Sequence, residues 1–563
     1  MCGLAGWAAT ANAPELGALA PMAEALSHRN GDEALCALID RHARRTVVMA
    51  ASSTDPELGI SAALDGAIVN AAQLRAELGR HGLALAAAND AELLVHAYRY
   101  WDKEVVKHLR GAFAFALWDA RKDRLMLARD RYGQKPLHLR QAGAVLYFAS
   151  EIKALVRAPD ARPEVDAAAV SDYLALRYVR GPRTLVSGVR KLAPGTYALW
   201  QFGNLRETRY WTPPDGDTNL APVTAREPLE GFIARLDEAV RLHMDGARPV
   251  GAFLSGGYDS AAIVALMKRH SERIATFSAG FADDKQGEIA AAARVAKHFG
   301  TGHREVVLAR RDVLGALPQA VLRRDAPFHR PADVALHLLA REVAREVKLV
   351  LSGDGGDEIL GGYRRHTFLR GLAPGAKRVN GLFVIPVAEP QEPPPAEGAT
   401  SSLKRILYYE QVSWLADSLL ERTDRMTAAA SLELRAPFLD THVVEFASRL
   451  PWKLKLSLTR TKVLLKRAMR GTVPEEILRR PKKGFGIPVA AWIRGPLRPM
   501  FEELFSETEL RRGGLFDPRA ARALLQRHLD GQADLRKPLW TLAMFQLWQR
   551  QWREPAASSR NAA

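Results

Sequence analysis

The sequence predicts two domains, an α+β domain followed by an α/β domain built on a parallel sheet. Three observations predict this order. Short strands separated by polar turns and two helical stretches run to about residue 200, a segment of linker composition occupies Thr212 to Pro228, and apolar strands then alternate with helices. A chain of 563 residues is also too long for one ordinary core.

The first domain is predicted to span residues 1–211. Arg45 to Ala50 and Leu125 to Ala128 have the length and composition of its short strands. The segment 212–228, TPPDGDTNLAPVTAREP, combines prolines, a glycine and small polar residues, which is typical of a linker. The domain boundary is therefore placed there.

The second domain is predicted to span residues 229–553. Helical periodicity from Leu229 to Met244 leads into the apolar strand Val250 to Leu254, which a glycine turn and another helix follow. Further strands are predicted at Ile274–Phe281 and Val347–Gly353, with helices between them, as in a parallel sheet covered by helices.

Two segments of this half are predicted to lie outside the packed core. The proline-rich stretch within 373–402 has the composition of a surface or disordered loop, and residues 554–563 that of a frayed tail.

Composition excludes several classes of protein. With only Cys2 and Cys36, neither a disulfide framework nor a cysteine-based zinc site is expected. The net charge of +17 comes mostly from scattered arginines without blocks of like charge, so no nucleic-acid partner is expected. No apolar run is long enough for a membrane span, and a cytoplasmic protein is expected.

The segment LSGGYDS, Leu254 to Ser260, has the pattern of a phosphate-binding loop. A strand ends in Ser255, Gly256 and Gly257, and a helix begins at once. Glycines allow phosphate oxygens to approach the backbone amides, and a helix N-terminus favours an anion. Asp259 is a candidate magnesium ligand or helix cap.

A second glycine-rich loop follows the strand predicted at Val347–Gly353. LSGDGGDEILGGY, Leu351 to Tyr363, sets three acidic residues among five glycines, an arrangement that costs entropy and brings like charges together. Asp354 and Asp357 are therefore expected to lie beside Asp259 at the carboxyl edge of one sheet, as a site for magnesium and pyrophosphate.

These motifs resemble the asparagine synthetase family. LSGGYDS resembles the pyrophosphate loop of ATP pyrophosphatases, and LSGDGGDEILGGY the second glycine-rich motif of asparagine synthetases. Three further matches follow in order: Asp424 to Asp440, the lysine Lys462 of TRTKVLLKRAM, and Arg479 to Trp492. The resemblance implies adenylation of a carboxylate by ATP, L-aspartate by default, and conversion of the acyl-adenylate into an amide by ammonia, with release of AMP and pyrophosphate.

The resemblance also implies residue roles. Asp259 and Asp357 would take magnesium and pyrophosphate, Asp354 would serve acyl-adenylate formation, and Lys462 would stabilise the charge that develops there. Arg435 and Lys483 are either structural or substrate-facing. The residues implied in ATP binding are Leu254, Ser255, Gly256, Gly257, Asp259, Ser260, Ser352 and Gly353.

The N-terminus MCGLAGW resembles class II glutamine amidotransferases, which are N-terminal-nucleophile (Ntn) hydrolases. Removal of Met1 would make Cys2 both the nucleophile and the carrier of the α-amine that serves as its base. The segments Arg110–Leu139 and Phe148–Leu155 match the same family. The resemblance therefore implies an Ntn glutaminase-like fold for the first domain.

The glutamine pocket departs from the family pattern. The HRGPD motif reads HRNGD at 28–32, and the segment that holds the glutamine carboxylate, 47–55, contains no arginine. Asp65-Gly66-Ala67 replaces the Asn-Gly-Glu motif, so a carboxylate replaces an oxyanion-hole donor, while Asp90 keeps the position that binds the glutamine amine. Two nitrogen sources stay open, glutamine hydrolysed at Cys2 or ammonia from solution or a partner.

Three alternatives remain from sequence. A related synthetase that amidates or cyclises a specialised metabolite fits the degenerate pocket and the Asp325-Ala326-Pro327 segment, where Asp-Glu-Pro is usual in the family. A tRNA-modifying ATP pyrophosphatase would lack its cysteine pair, and a non-catalytic scaffold would not need a phosphate loop. The resemblance is compatible with a homodimer.

Overall fold

The computed structural model describes residues 3–11, 13–30, 37–42, 45–50, 53–55, 57–83, 89–214, 226–246, 249–281, 287–328, 330–363, 366, 402–457, 460–480 and 487–553. Of the segments singled out from sequence, residues 215–225 of the linker, 373–401 of the proline-rich stretch and the tail 554–563 lie outside these ranges. Cys2, Cys36 and Lys483 lie outside them as well.

The first domain contains two antiparallel sheets. Its strands are β1 (Ala5–Ala9), β2 (Ala37–His42), β3 (Arg45–Ala50), β4 (Ser53–Asp55), β5 (Ile60–Ile68), β6 (Gly111–Asp119), β7 (Arg124–Arg129), β8 (His138–Ala142), β9 (Val145–Ala149), β10 (Val189–Lys191), β11 (Thr196–Gln201) and β12 (Asn204–Arg209). One sheet has the order β10-β8-β9-β1-β3-β2 and the other β12-β11-β7-β6-β5-β4. The strands predicted from sequence at Arg45–Ala50 and Leu125–Ala128 are confirmed.

Helices flank the two sheets of the first domain. They are α1 (Leu19–Glu24), α2 (Ser27–Asn30), α3 (Ala71–Arg80), α4 (Asp90–Trp101), α5 (Val105–His108), α6 (Ile152–Leu155) and α7 (Ala167–Leu176), with 3-10 turns at Leu16–Ala18 and Asp102–Glu104. One core cluster joins the facing sheets, with Phe148 from one and Trp118 and Trp200 from the other. Two further clusters pack the outer face of each sheet against helices, so the domain is layered as helices, sheet, sheet and helices.

The second domain is built on a parallel sheet. Its strands are β13 (Val250–Phe253), β14 (Ala275–Phe281), β15 (Gly302–Leu308), β16 (Leu349–Leu351) and β17 (Glu433–Arg435), in the order β15-β14-β13-β16-β17. All four pairings are parallel, and Gly251 on the central strand pairs with Ala275 and Val350. The predicted α/β architecture is therefore confirmed.

Helices cover this sheet and continue to the end of the described chain. They are α8 (Arg226–Met244), α9 (Tyr258–His270), α10 (Glu288–Phe299), α11 (Arg310–Arg324), α12 (Ala332–Val343), α13 (Gly356–Leu360), α14 (Ser402–Tyr409), a π-helical segment (Glu410–Leu420), α15 (Glu421–Ala428), a 3-10 turn (Pro437–Leu439), α16 (Thr441–Arg449), α17 (Trp452–Lys455), α18 (Val463–Ala468), α19 (Glu475–Arg479), α20 (Val489–Arg494), α21 (Arg498–Leu504), α22 (Glu507–Gly513), α23 (Pro518–Leu529) and α24 (Arg536–Arg553). Helix α8 begins within the segment 212–228 that the sequence predicts to be a linker.

The two domains share one hydrophobic core cluster. It includes Trp7 and Tyr173 of the first domain and Trp492 and Phe545 of the second. The Tyr173 ring lies 6.2 Å from that of Phe545, and its hydroxyl donates to the carbonyl of Thr541 at 3.0 Å. Across the described ranges, no helix combines the length and the apolar character that crossing a membrane requires.

Candidate active site

The first glycine-rich loop joins β13 to α9 at the carboxyl end of the central strand. Leu254 is buried, and its amide donates to the backbone carbonyl of Phe277 on β14 at 2.8 Å. The first residue of the loop is therefore still bonded to the sheet. The Ser255 amide donates to the Ser260 hydroxyl at 3.2 Å, and that hydroxyl donates to the Gly257 carbonyl at 3.1 Å. These bonds hold the loop as a tight turn ahead of the helix N-terminus, which favours anions.

The second glycine-rich loop lies against the first. β13 and β16 are neighbours, so their carboxyl ends meet at one edge. A Cβ atom on Gly353 would lie 2.9 Å from the Cβ of Asp259, and one on Gly256 would lie 2.7 Å from the Cβ of Ala291. Glycine at these positions therefore permits the close contact of loop with loop and of loop with helix.

Lys462 links the two loops. Its ammonium lies 2.6 Å from Asp259 Oδ1 and 2.6 Å from Asp357 Oδ1, and the side chain is fully buried. The residue adopts a left-handed backbone conformation at the start of α18, with φ 51°. The structure thus brings together the three residues that the sequence assigned to magnesium, pyrophosphate and charge stabilisation.

Asp354 lies beside this cluster in the second loop. Its Oδ2 accepts from the Ser352 hydroxyl at 3.1 Å and from the Thr423 hydroxyl at 3.3 Å, which fixes the carboxylate against α15. The Ser352 amide donates to the backbone carbonyl of Arg435 at 3.0 Å. The Arg435 guanidinium donates to the carbonyls of His243 and Asp245, so it supports the fold.

Both glycine-rich loops line a cleft of about 890 Å³. Leu254, Ser255, Asp259, Ser260, Ser352, Gly353, Asp354 and Asp357 all line it. Glu358 also lines it; burial, with Asp357 beside it, raises the pKa of the Glu358 carboxyl to about 7. Five cations that the sequence analysis did not single out complete the lining: Arg177, Arg330, Arg422, Arg536 and Lys537.

The cleft contains two neighbouring carboxylates that could hold a metal ion. Among the described residues, no group of three or more His, Cys, Asp or Glu side chains is arranged as a metal site. Magnesium is commonly held by one or two carboxylates together with substrate phosphates and water. Asp259 and Asp357, which share one cation, provide hard oxygen donors of that kind.

The residues that the sequence predicts for a glutamine pocket lie on β5 and at the start of α4. Asp65 is fully buried on β5 and Gly66 follows it, with φ 107° and a Cβ position only 2.0 Å from the carbonyl oxygen of Ala112. Asp90 accepts from the Ile68 amide at 2.8 Å, and burial raises the pKa of its carboxyl. Asp65 thus lies on β5, and Asp90 is hydrogen-bonded to the same strand.

Asp65 forms part of a buried ionic cluster at the domain interface. Its Oδ2 accepts from Arg29 at 2.9 Å and from the Ser150 hydroxyl at 3.0 Å. The Lys135 ammonium lies 3.9 Å from its other oxygen. The negative charge that replaces the usual asparagine is therefore matched by cations inside the protein.

Arg29 extends this cluster into the second domain. Its two terminal nitrogens donate to Asp424 at 2.8 and 3.1 Å, and one also donates to Glu151 at 2.9 Å. Lys135 donates to Asp424 at 2.9 Å. Burial alone would raise the pKa of Asp424, but Arg29 and Lys135 lower it below its usual range.

A parallel sheet with two glycine-rich loops at its carboxyl ends, joined to two facing antiparallel sheets, defines a two-domain protein of the amidotransferase class. Comparison with known families agrees. The glutamine amidotransferase domain model matches residues 1–211, and the asparagine synthase model matches residues 231–550. The chain belongs to the asparagine synthetase (glutamine-hydrolysing) family.

Individual relatives cover most of the chain. A putative asparagine synthetase (glutamine-hydrolyzing) of Mycobacterium tuberculosis is 34% identical, with 86% of this chain and 83% of that protein covered. Asparagine synthetase (glutamine-hydrolyzing) 1 of Bacillus subtilis is 29% identical, covering 86% and 84%. A more distant relative, amidase chyE of Penicillium rubens, is 25% identical, covering 87% and 86%.

Proposed function

We propose that this protein is an ATP-dependent carbon–nitrogen ligase that converts a carboxylate, L-aspartate by default, into its amide. A carboxylate oxygen attacks the α-phosphorus of ATP, and the bond to pyrophosphate breaks. Ammonia then attacks the acyl carbon of the adenylate, the bond to AMP breaks, and a proton is released. The observation that carries this proposal is Lys462 between Asp259 and Asp357, beneath two glycine-rich loops.

The residues of the cleft supply positioning and charge neutralisation. Leu254, Ser255, Ser352 and Gly353 would contact ATP, and Gly256, Gly257 and Ser260 would shape its phosphate loop. Asp259 and Asp357 would hold the magnesium ion that neutralises the pyrophosphate. Lys462 would stabilise charge on the adenylate and the leaving group, and Asp354 would serve formation of the acyl-adenylate.

The nitrogen donor is proposed to be ammonia from outside the first domain. A functional oxyanion hole presents hydrogen-bond donors, and an ionised carboxylate at position 65 has none. That carboxylate also accepts hydrogen bonds from Arg29 and Ser150, which fix its position. Both facts favour ammonia over glutamine hydrolysed at Cys2.

Nitrogen-donor preference tests the proposal directly. AMP and amide formation from ATP and L-aspartate would be compared with ammonium or glutamine as donor, in the wild type and in Cys2→Ala. Turnover with ammonium that is equal in the two proteins is expected. Glutamine-dependent turnover that Cys2→Ala abolishes would refute the donor assignment, and absence of AMP with every acid and donor would refute the ligase. Lys462→Gln should lower AMP formation by about 10² to 10³.

A second candidate is amide formation on an acid other than aspartate. In the Asp325-Ala326-Pro327 segment, Asp325 accepts from the backbone amides of Ile152 and Lys153 at the domain interface and does not line the cleft. The acid would then be recognised by other side chains, for which the five cations of the cleft are candidates.

A further inference from the structure

Five cationic side chains line the cleft, and they come from both domains. Arg422 and Arg330 come from α15 and the segment before α12, and Arg536 and Lys537 begin α24. Arg177 comes from the first domain, directly after α7. Trp540 lines the same cleft.

Hydrogen bonds connect the elements that carry these cations to other parts of the cleft. The Thr423 hydroxyl donates to Asp354, and Arg422 precedes Thr423 on α15. The hydrogen bond from Tyr173 to Thr541 joins α7 to α24, which brings the end of α7 to the helix that carries Trp540. Arg177 therefore reaches the cleft from the region where α7 contacts α24.

Arg177 differs from two of its cationic neighbours in its partners, and Lys537 shares this difference. Arg422 lies 3.6 Å from Asp333, and Arg536 lies 3.4 Å from Asp534. No described carboxylate forms an ion pair with Arg177, although the side chain is half-buried. Carboxylates such as Asp354 and Glu358 line the same cleft, but none of the described ones pairs with the Arg177 guanidinium, so this cation can bind an anion that enters the cleft.

The backbone at Arg177 also indicates a role for its side chain. The residue ends α7 in the left-handed conformation, with φ 68° and ψ 20°. Glycine is the residue that adopts this helix-terminal conformation without strain. An arginine there brings a guanidinium to the cleft at the expense of a relaxed backbone, which is a pattern found at functional sites.

We propose that Arg177 determines acceptor specificity by binding the second carboxylate of a dicarboxylic acid whose other carboxylate is adenylated. This inference rests on the proposed ligase function. A guanidinium matches a carboxylate through two parallel hydrogen bonds, which a lysine cannot reproduce. The amidotransferase-like domain would then take part in acid recognition whatever the nitrogen source.

Exchange of pyrophosphate into ATP, stimulated by acids, provides the test. The dicarboxylates L-aspartate, L-glutamate, succinate and glutarate would be compared with the monocarboxylates butyrate and pentanoate. In Arg177→Gly, kcat/KM for the preferred dicarboxylate should fall about tenfold or more, with the KM for ATP and the monocarboxylate values unchanged. Arg177→Lys should fall between this variant and the wild type.

Stability separates a specificity role from a structural one. Arg177→Gly relaxes the backbone, so its Tm should equal or exceed that of the wild type while its selectivity falls. Arg183→Gln, an exposed arginine in the same loop that does not line the cleft, is the matched control and should keep wild-type selectivity. An unchanged ratio of dicarboxylate to monocarboxylate activity in Arg177→Gly would overturn the inference and leave the ligase intact.

Direct binding keeps the two proposals distinguishable. Calorimetric titration of succinate and L-aspartate into the wild type and Arg177→Gly, with ATP binding measured separately, does not depend on turnover. Tenfold weaker binding in the variant supports the inference even if no exchange is detected. Absence of dicarboxylate binding to the wild type at millimolar concentration would overturn it.

Discussion

At the scale of single residues, the lack of a side chain at Gly362 allows Asp357 and Lys462 to approach each other closely. A Cβ atom there would lie 1.8 Å from Asp357 Oδ1 and 2.3 Å from Lys462 Cε. Backbone therefore passes directly beside the ion pair that joins the two loops. A side chain of any size would have to displace one of these groups.

Gly362→Ala should separate Lys462 from Asp357. We expect ATP binding to weaken at least tenfold and the free energy of unfolding to fall by about 1 to 3 kcal/mol, as for other overpacked sites. Isothermal calorimetry and denaturant unfolding would measure the two effects. Gly315→Ala is the control, because that glycine lies within α11 with open space around it and should gain about 0.5 to 1 kcal/mol. Wild-type ATP affinity in Gly362→Ala would contradict the role given to this contact.

Asp65 shows what single-residue inference from sequence lacks. From sequence, its charge is expected to repel a developing oxyanion. The structure pairs that charge with Arg29, from the altered HRNGD segment, and with Ser150. Such a pairing joins residues distant in the chain, and local sequence patterns carry no information on it. The missing hydrogen-bond donor at position 65 and the lack of an arginine in the segment 47–55 remain as obstacles to glutamine hydrolysis.

At the scale of elements, helix α15 serves both domains. Arg422 and Thr423 face the cleft, while Glu421, Asp424 and Arg425 pair with residues of the first domain. Glu421 lies 2.9 Å from Lys191, and Arg425 lies 2.9 Å from Glu151. A shift of this helix would therefore move Asp354 through Thr423.

Asp424→Asn should destabilise the whole chain. It removes a carboxylate that both Arg29 and Lys135 contact, and breaking a buried ion pair from one side costs about 3 to 5 kcal/mol. Thermal unfolding would show this as a large fall in Tm. Glu502→Gln, which breaks an exposed pair with Arg498, should leave Tm nearly unchanged. Equal Tm values for the two variants would show that the cluster does not stabilise the interface.

The elements of the active-site edge were largely predictable, because their signals are local. An apolar run followed by glycines predicts a strand that ends in a loop, and β13, β14 and β16 lie within the predicted segments. The contacts of Lys462 and the position of Arg177 were not derivable from periodicity. Both depend on how distant segments pack. The family resemblance identified Lys462 through its motif but gave none of its contacts.

At the scale of the whole molecule, buried titratable groups make opposing contributions to stability. Burial lowers the pKa of His28, His243 and His337 to about 4. Burial raises that of Glu358 to about 7 and that of Asp325 to about 6. The histidines bind fewer protons when folded than when unfolded, and the two carboxyls bind more. The change of folding stability with pH is therefore the difference between the histidine and the carboxyl contributions. Single variants can separate the two.

His243→Gln should remove one contribution to folding stability that is lost in acid. His243 is buried in α8, with Nδ1 2.7 Å from the Ala239 carbonyl, so the folded protein holds it neutral. Because its folded pKa of about 4 lies below its unfolded value, its contribution is complete above pH 6.5 and is lost as pH falls towards 4. That loss is at most about 3 kcal/mol. Between pH 7.5 and 5, Tm should fall less in His243→Gln than in the wild type, whereas His442→Gln, at an exposed histidine, should follow the wild type. Parallel Tm curves for all three proteins would show that His243 already carries a proton in the folded state.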